Sequence, residues 1–108
     1  MIHEVGDGNF QQMVLEEKER PVLVDFWAQW CPPCITLGKA LAGMASEFEL
    51  KVKLVKVDVE AAPDTAAYFA TRSIPYLVVF RNGQQVDQMF GNPGPARLRA
   101  FLAKHAGI

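Results

Sequence analysis

The chain has 108 residues, 50% of them hydrophobic and 21% charged, with a formal net charge of −1. That composition predicts one soluble globular domain over residues 1–108, long enough to bury a core without staples. Nothing in it resembles the basic field of a nucleic-acid or anionic-membrane binder, and no stretch approaches the ~20 apolar residues of a membrane span.

The start, Met1 to Asp7, lacks a basic segment followed by an apolar one, so no secretory signal is expected and a cytoplasmic address follows. A short strand fits Ile2 to Val5. Phe10, Met13 and Val14 recur at helical spacing and predict a first helix with Asp7 as its N-cap. Pro21 breaks that pattern. Val22 to Trp27 is a nearly continuous apolar run, which suits a strand covered on both faces in a parallel sheet. Leu37, Leu41, Met44, Ala45 and Phe48 fall on one side of a long helix. Val55, Val57 and Val59 alternate with Lys56 and Asp58 and predict a second central strand.

Ala66, Ala67, Phe69 and Ala70 predict a short helix, and Tyr76 to Phe80 a further strand. Asn82-Gly83 is a two-residue hairpin signal because both positions tolerate positive φ, so Gln84 to Phe90 must return antiparallel. Pro95 suits the first turn of a last helix, Leu98, Phe101 and Leu102 its buried stripe, and Gly107 its end. Phe26, Phe80 and Phe101 read as core. The order of elements predicts an α/β domain of three layers, with helices on both faces of a mixed sheet of four to five strands.

Cys31 and Cys34 stand at the junction of the first buried strand and the long helix. A thiol at a helix N-terminus faces unpaired N–H groups and the positive end of the helix dipole, and both favour the nucleophilic thiolate. The spacing lets the second sulfur bond to the first while lying deeper. An exposed Cys31 would attack a substrate disulfide, and Cys34 would then resolve the mixed disulfide. Competing readings have less to stand on. A structural zinc site needs four ligands, and beyond the two cysteines the chain has only His3 and His105 at opposite ends, which leaves a site shared between two chains. Haem attachment wants His where Ile35 stands. A plain pair of buried cysteines remains the bland alternative.

Trp30-Cys31-Pro32-Pro33-Cys34, preceded by Val24-Asp25-Phe26-Trp27-Ala28, resembles the thioredoxin active-site strand and loop. Lys56-Val57-Asp58, Ser73-Ile74-Pro75, Phe80-Arg81-Asn82-Gly83 and Gly91 fall in that family's order and spacing, so the resemblance spans essentially the whole chain. It implies the thioredoxin fold with four flanking helices and reversible dithiol–disulfide exchange with protein substrates. Cys31 resembles the attacking cysteine and Cys34 the resolving one, the two forming a redox-active disulfide. Asp25 matches the buried carboxylate that takes the Cys34 proton; read alone, it could turn outward at an edge. Lys56 matches the lysine beside that carboxylate; read alone, it is a solvated strand residue. Pro75 matches the family's cis proline, and Trp30, Ile74, Pro75 and Gly91 would line a shallow docking surface. Trp27 matches a packing tryptophan behind the site, and ordinary core packing explains it equally well. The resemblance also implies no bound cofactor and no metal, with electrons arriving from NADPH through a flavoprotein thioredoxin reductase. The expected partners are that reductase and protein disulfides, with the chain a monomer.

Several residues depart from the family pattern. Pro32 replaces the usual Gly between the cysteines, which removes one backbone N–H near the sulfurs and stiffens the loop. No His lies between the cysteines, so the expected potential is nearer about −270 mV than about −120 mV. Lys39 stands where the family often has a helix-kinking proline, and Tyr76 replaces a Thr and is expected to alter the docking surface. Asn92-Pro93-Gly94-Pro95 reads as a rigid turn. A protein-disulfide reductase is the leading function. The alternatives are a thioredoxin-like chaperone or assembly subunit that uses the fold for binding, and an oxidase or isomerase of the kind that works outside the cytoplasm.

Overall fold

A computed structural model describes residues 1–69 and 72–108. The elements run β1 (Ile2–Glu4), a π-helical turn (Gln11–Leu15), β2 (Val22–Trp27), α1 (Pro32–Phe48), β3 (Lys53–Asp58), α2 (Pro63–Tyr68), β4 (Tyr76–Arg81), β5 (Gln84–Phe90) and α3 (Pro95–Ala106). The strand order is β1-β3-β2-β4-β5. β3 is parallel to both β1 and β2, whereas β2–β4 and β4–β5 are antiparallel. β2 is therefore central, which is why its run of apolar residues is buried from Val22 to Phe26.

Alternation along the strands sorts their side chains into two cores. Leu23, Leu54, Leu77 and Val79 pack with Leu37, Leu41, Met44 and Phe48 of α1 and Leu98, Phe101 and Leu102 of α3. Val22, Val24, Phe26, Val55, Val57, Val78 and Phe80 pack on the other side with Phe10 and Val14. By the same alternation Asp25 and Trp27 share the face of Leu23, and Lys56 shares the face of Leu54. These three residues consequently lie on the α1 side of the sheet.

The hairpin forms as its sequence dictates, with Asn82 at φ 52° and Gly83 at φ 80°. A Cβ at Gly83 would also come within 2.7 Å of the Leu15 carbonyl oxygen, so the turn is seated closely on the first helical segment. Pro95 opens α3, and Gly107 closes it in the left-handed region at φ 78°. The Gly94 amide donates to Asn92 Oδ1 (3.0 Å), the local bond of a tight turn.

Three expectations need correction. The first helix is only a π-helical turn whose cap, Phe10, makes no side-chain capping bond. Asp7 instead serves α2, where its carboxylate accepts from the Asp64 and Thr65 amides and from Thr65 Oγ1 at 3.2, 2.8 and 2.6 Å. A capping carboxylate recognises any row of free N–H groups, so one 57 residues away serves as well as the nearest. The third strand starts two residues earlier than the valine alternation begins, because Lys53 and Leu54 already pair with Val22 and Leu23 of β2, and it ends at Asp58, one residue short of Val59. The short helix ends at Tyr68, and Ala70 lies outside the described residues.

Candidate active site

β2 ends at Trp27, and α1 begins at Pro32, so the four-residue link places Cys31, and Cys34 in the first turn of α1, at the C-terminal end of the central strand. Cys31 is the N-cap of α1, with φ −105° and ψ 101°. It is bonded to Cys34, with the two Cα atoms 5.2 Å apart, inside the ordinary range for a disulfide. Pro32 and Pro33 fill the first two helical positions and carry no N–H. The next amide, that of Cys34, donates to Cys31 Sγ at 3.3 Å. Cys31 Sγ also stands 3.9 Å from the Ile74 carbonyl oxygen.

The contrast in exposure between the two cysteines is shallower than the sequence predicts. Cys31 is 5% exposed and Cys34 1%. Both join Ala28 in a small cluster, with Trp27, Val59 and Ile74 packed over it. The Cys31 sulfur is thus nearly covered rather than standing open to solvent.

Asp25 is fully buried, and neither carboxylate oxygen has a hydrogen-bond partner among the described residues. Burial pushes its pKa up to about 7, against the pull of the Lys56 ammonium. Asp25 and Lys56 are paired Cα partners in the parallel β2–β3 register. The Lys56 Nζ sits 4.1 Å from the centroid of the Trp27 ring, a cation–π contact that steers it along this face. Lys56 is therefore half-buried and held, not the freely solvated strand residue that the spacing alone allows.

Ile74–Pro75 is a cis peptide bond. Pro75 O accepts from the Gly91 amide at 2.8 Å, which brings Gly91 beside it, and Gly91 has a positive φ of 77°. Trp30 is 64% exposed, Ile74 and Gly91 are half-buried, and Pro75 is buried. Trp30 and Ile74 border a hollow of about 360 Å³ together with Val59, Arg72 and Ser73. None of those last three was assigned to the site from the sequence, where Val59 read as a strand residue and Ser73 only as part of the Ser73-Ile74-Pro75 motif. Arg72 and Ser73 adjoin Ile74 in the chain, which is the signal that could have found them.

Tyr76 does not shape that surface. It is buried, stacked between Phe26 (6.0 Å) and Phe90 (4.4 Å), with its hydroxyl on Gln88 Oε1 at 2.7 Å. Alternation within β4 sends it into the core opposite α1, where a large ring is better accommodated than on the surface. The exposed neighbour is Phe90, at 51%. Among the described residues no group of three metal-ligating side chains comes together.

A closed Cys-x-x-Cys pair at the head of a helix, following a strand that carries a buried carboxyl and facing the carbonyl of a cis Ile–Pro bond, defines a thiol–disulfide exchange protein. The family profile for thioredoxin matches residues 1–104. Thioredoxin C-2 of Corynebacterium nephridii is 46% identical over 96 residues, covering 89% of this chain and 88% of its own. Thioredoxin 1 of a Nostoc species is 41% identical over 102 residues, 94% of each. The solved thioredoxin of Malassezia sympodialis superposes with a TM-score of 0.88 at 30% identity, over 98% of this chain and 91% of that one. The chain belongs to the thioredoxin family. It is a thiol–disulfide oxidoreductase, a protein-disulfide reductase, and such proteins need no bound cofactor. No described helix is long and apolar enough to cross a membrane.

Proposed function

We propose that the chain is a cytoplasmic, monomeric electron carrier, a single domain over residues 1–108, in which Cys31 attacks, Cys34 resolves and Asp25 takes the resolving proton. The observation that carries this reading is the closed Cys31–Cys34 pair with the Cys34 amide on the Cys31 sulfur. In the reduced protein that amide and the α1 dipole favour a thiolate at Cys31. The thiolate attacks one sulfur of a substrate disulfide, and the other sulfur leaves as a thiolate. Cys34 then gives its proton to Asp25, attacks Cys31 Sγ and expels the second substrate thiolate. Two electrons have passed to the substrate, and the protein is left with the disulfide described above.

An Asp25 midpoint of about 7 suits this task, since the group exists in both protonation states near neutrality. Lys56 tunes it. Trp30, Ile74, Pro75 and Gly91, with Arg72 and Ser73, receive the substrate chain, which can add strand-like hydrogen bonds at Ile74. A flavoprotein thioredoxin reductase returns the electrons from NADPH.

The test is reduction of insulin disulfides coupled to NADPH and a thioredoxin reductase. Cys31→Ser should abolish turnover, and Cys34→Ser should trap a mixed disulfide at Cys31. Asp25→Asn should slow the resolving step and remove the rise of its rate through about pH 7. Turnover that survives in Cys31→Ser would overturn the assignment.

A further inference from the structure

Two glycines lie inside α1. Gly43 faces solvent, whereas Gly38 is buried. Glycine is the least favourable residue in a helix interior after proline, so a buried one invites a reason. Gly38 stands one turn beyond Cys34 and therefore on the same face of the helix.

A Cβ at Gly38 would lie 3.4 Å from Lys56 Nζ, and would meet no other described atom within 4 Å outside its own helix. Lys56 Nζ is thus bounded on one side by the Trp27 ring, at 4.1 Å from the centroid, and on another by the bare backbone of Gly38. In the strand register Asp25 of β2 lies beside Lys56 of β3 and Leu77 of β4. The buried α1 residues that pack on this side of the sheet, Leu37 and Leu41 among them, carry no charge. Lys56 is the cation that acts on Asp25.

We infer that Gly38 is a positioning residue: its missing side chain leaves the berth beside the Trp27 ring from which the Lys56 ammonium acts on Asp25 through space, under the face of α1 that carries Cys34. The inference rests on Asp25 as the proton acceptor of the reaction. A methyl group at this position would stand 3.4 Å from the ammonium, at the near limit of ordinary contact, and crowd its berth. A longer side chain displaces the ammonium outright. Either change weakens the counter-charge on Asp25 and raises its midpoint, so less of the base is ionised at a given pH.

The experiment follows the Asp25 carboxyl carbon by NMR across pH in the oxidised protein, beside the pH profile of insulin reduction. The proteins are wild type, Gly38→Ala, Gly38→Met, Lys56→Met and the double variant Gly38→Ala/Lys56→Met. The Asp25 midpoint should rise in Gly38→Ala and rise further in Gly38→Met, towards that of Lys56→Met. The double variant should titrate as Lys56→Met alone, because Gly38 acts through the lysine. Below the midpoint, the resolving rate should fall about tenfold for each pH unit of upward shift. A midpoint unmoved by Gly38→Ala while Lys56→Met raises it would overturn the inference, as would a Gly38→Ala shift of full size without the lysine. Should Gly38→Met fail to fold, the alanine and double variants decide alone. A midpoint that moves as expected while the reduction profile stays in place would uphold the role of Gly38 and refute Asp25 as the base.

Discussion

Asp25 and Lys53 are both ionisable side chains sealed into adjacent central strands, one fully buried and the other 8% exposed, yet they have opposite surroundings. Lys53 Nζ donates to the Met13 carbonyl at 2.7 Å and to Glu17 Oε1 at 3.2 Å. Burial alone would raise the Glu17 carboxyl, but bonds from the Glu19 amide and Lys53 outweigh it and hold Glu17 below its ordinary value. Asp25 has no hydrogen-bond partner among the described residues and is left near neutrality. A buried charge with its partners in place fastens the π-helical turn to β3. A buried carboxyl without them costs stability and is available to move a proton.

That contrast can be broken most sharply at Asp25. Its folded pKa of about 7 lies above the ordinary 3.8, so the unfolded chain releases this proton first. The penalty is full above about pH 7, shrinks between 7 and 3.8, and vanishes below. Asp25→Ala should therefore stabilise the protein by about 4 kcal/mol near pH 8 and by almost nothing near pH 4, read by urea unfolding at both. An equal gain at both pH values would mean that packing, not charge, sets the effect.

Glu17→Ala should do the reverse, costing about 3 kcal/mol at neutral pH by leaving Lys53 short of its countercharge. Because the Glu17 pKa is lowered on folding, its contribution is present above 4.5 and is lost as pH falls through the folded value. The loss should shrink in acid, opposite in sign to Asp25. The exposed counterpart is Lys104, which is 68% exposed and pairs with Asp87 at 3.0 Å. Lys104→Ala should cost about 0.5 kcal/mol, and less in high salt. A larger cost would show that burial is not what separates these pairs.

Much of this was legible in the residues. Apolar continuity marked β2, valine alternation marked most of β3, and Asn82-Gly83 marked the hairpin, since each depends on neighbours in the chain. The cysteine pair was legible from its spacing and its place before a helix. Pairings between distant residues were not. Nothing near Asp7 announces that it caps α2, and nothing near Lys53 announces that Glu17 comes to meet it. Tyr76 looked like a surface residue because its position after Pro75 says nothing of which way β4 turns it. The small exposure of Cys31 depends on Ile74 and Val59, which only the fold brings over it.

The two prolines that open α1 have a spectroscopic consequence. Since neither can contribute an amide signal, the Cys34 proton alone in that first turn points at the Cys31 sulfur. In a nitrogen-edited spectrum that single resonance would register whether the sulfur is bonded, protonated or ionised, a built-in gauge of the electron load on the protein.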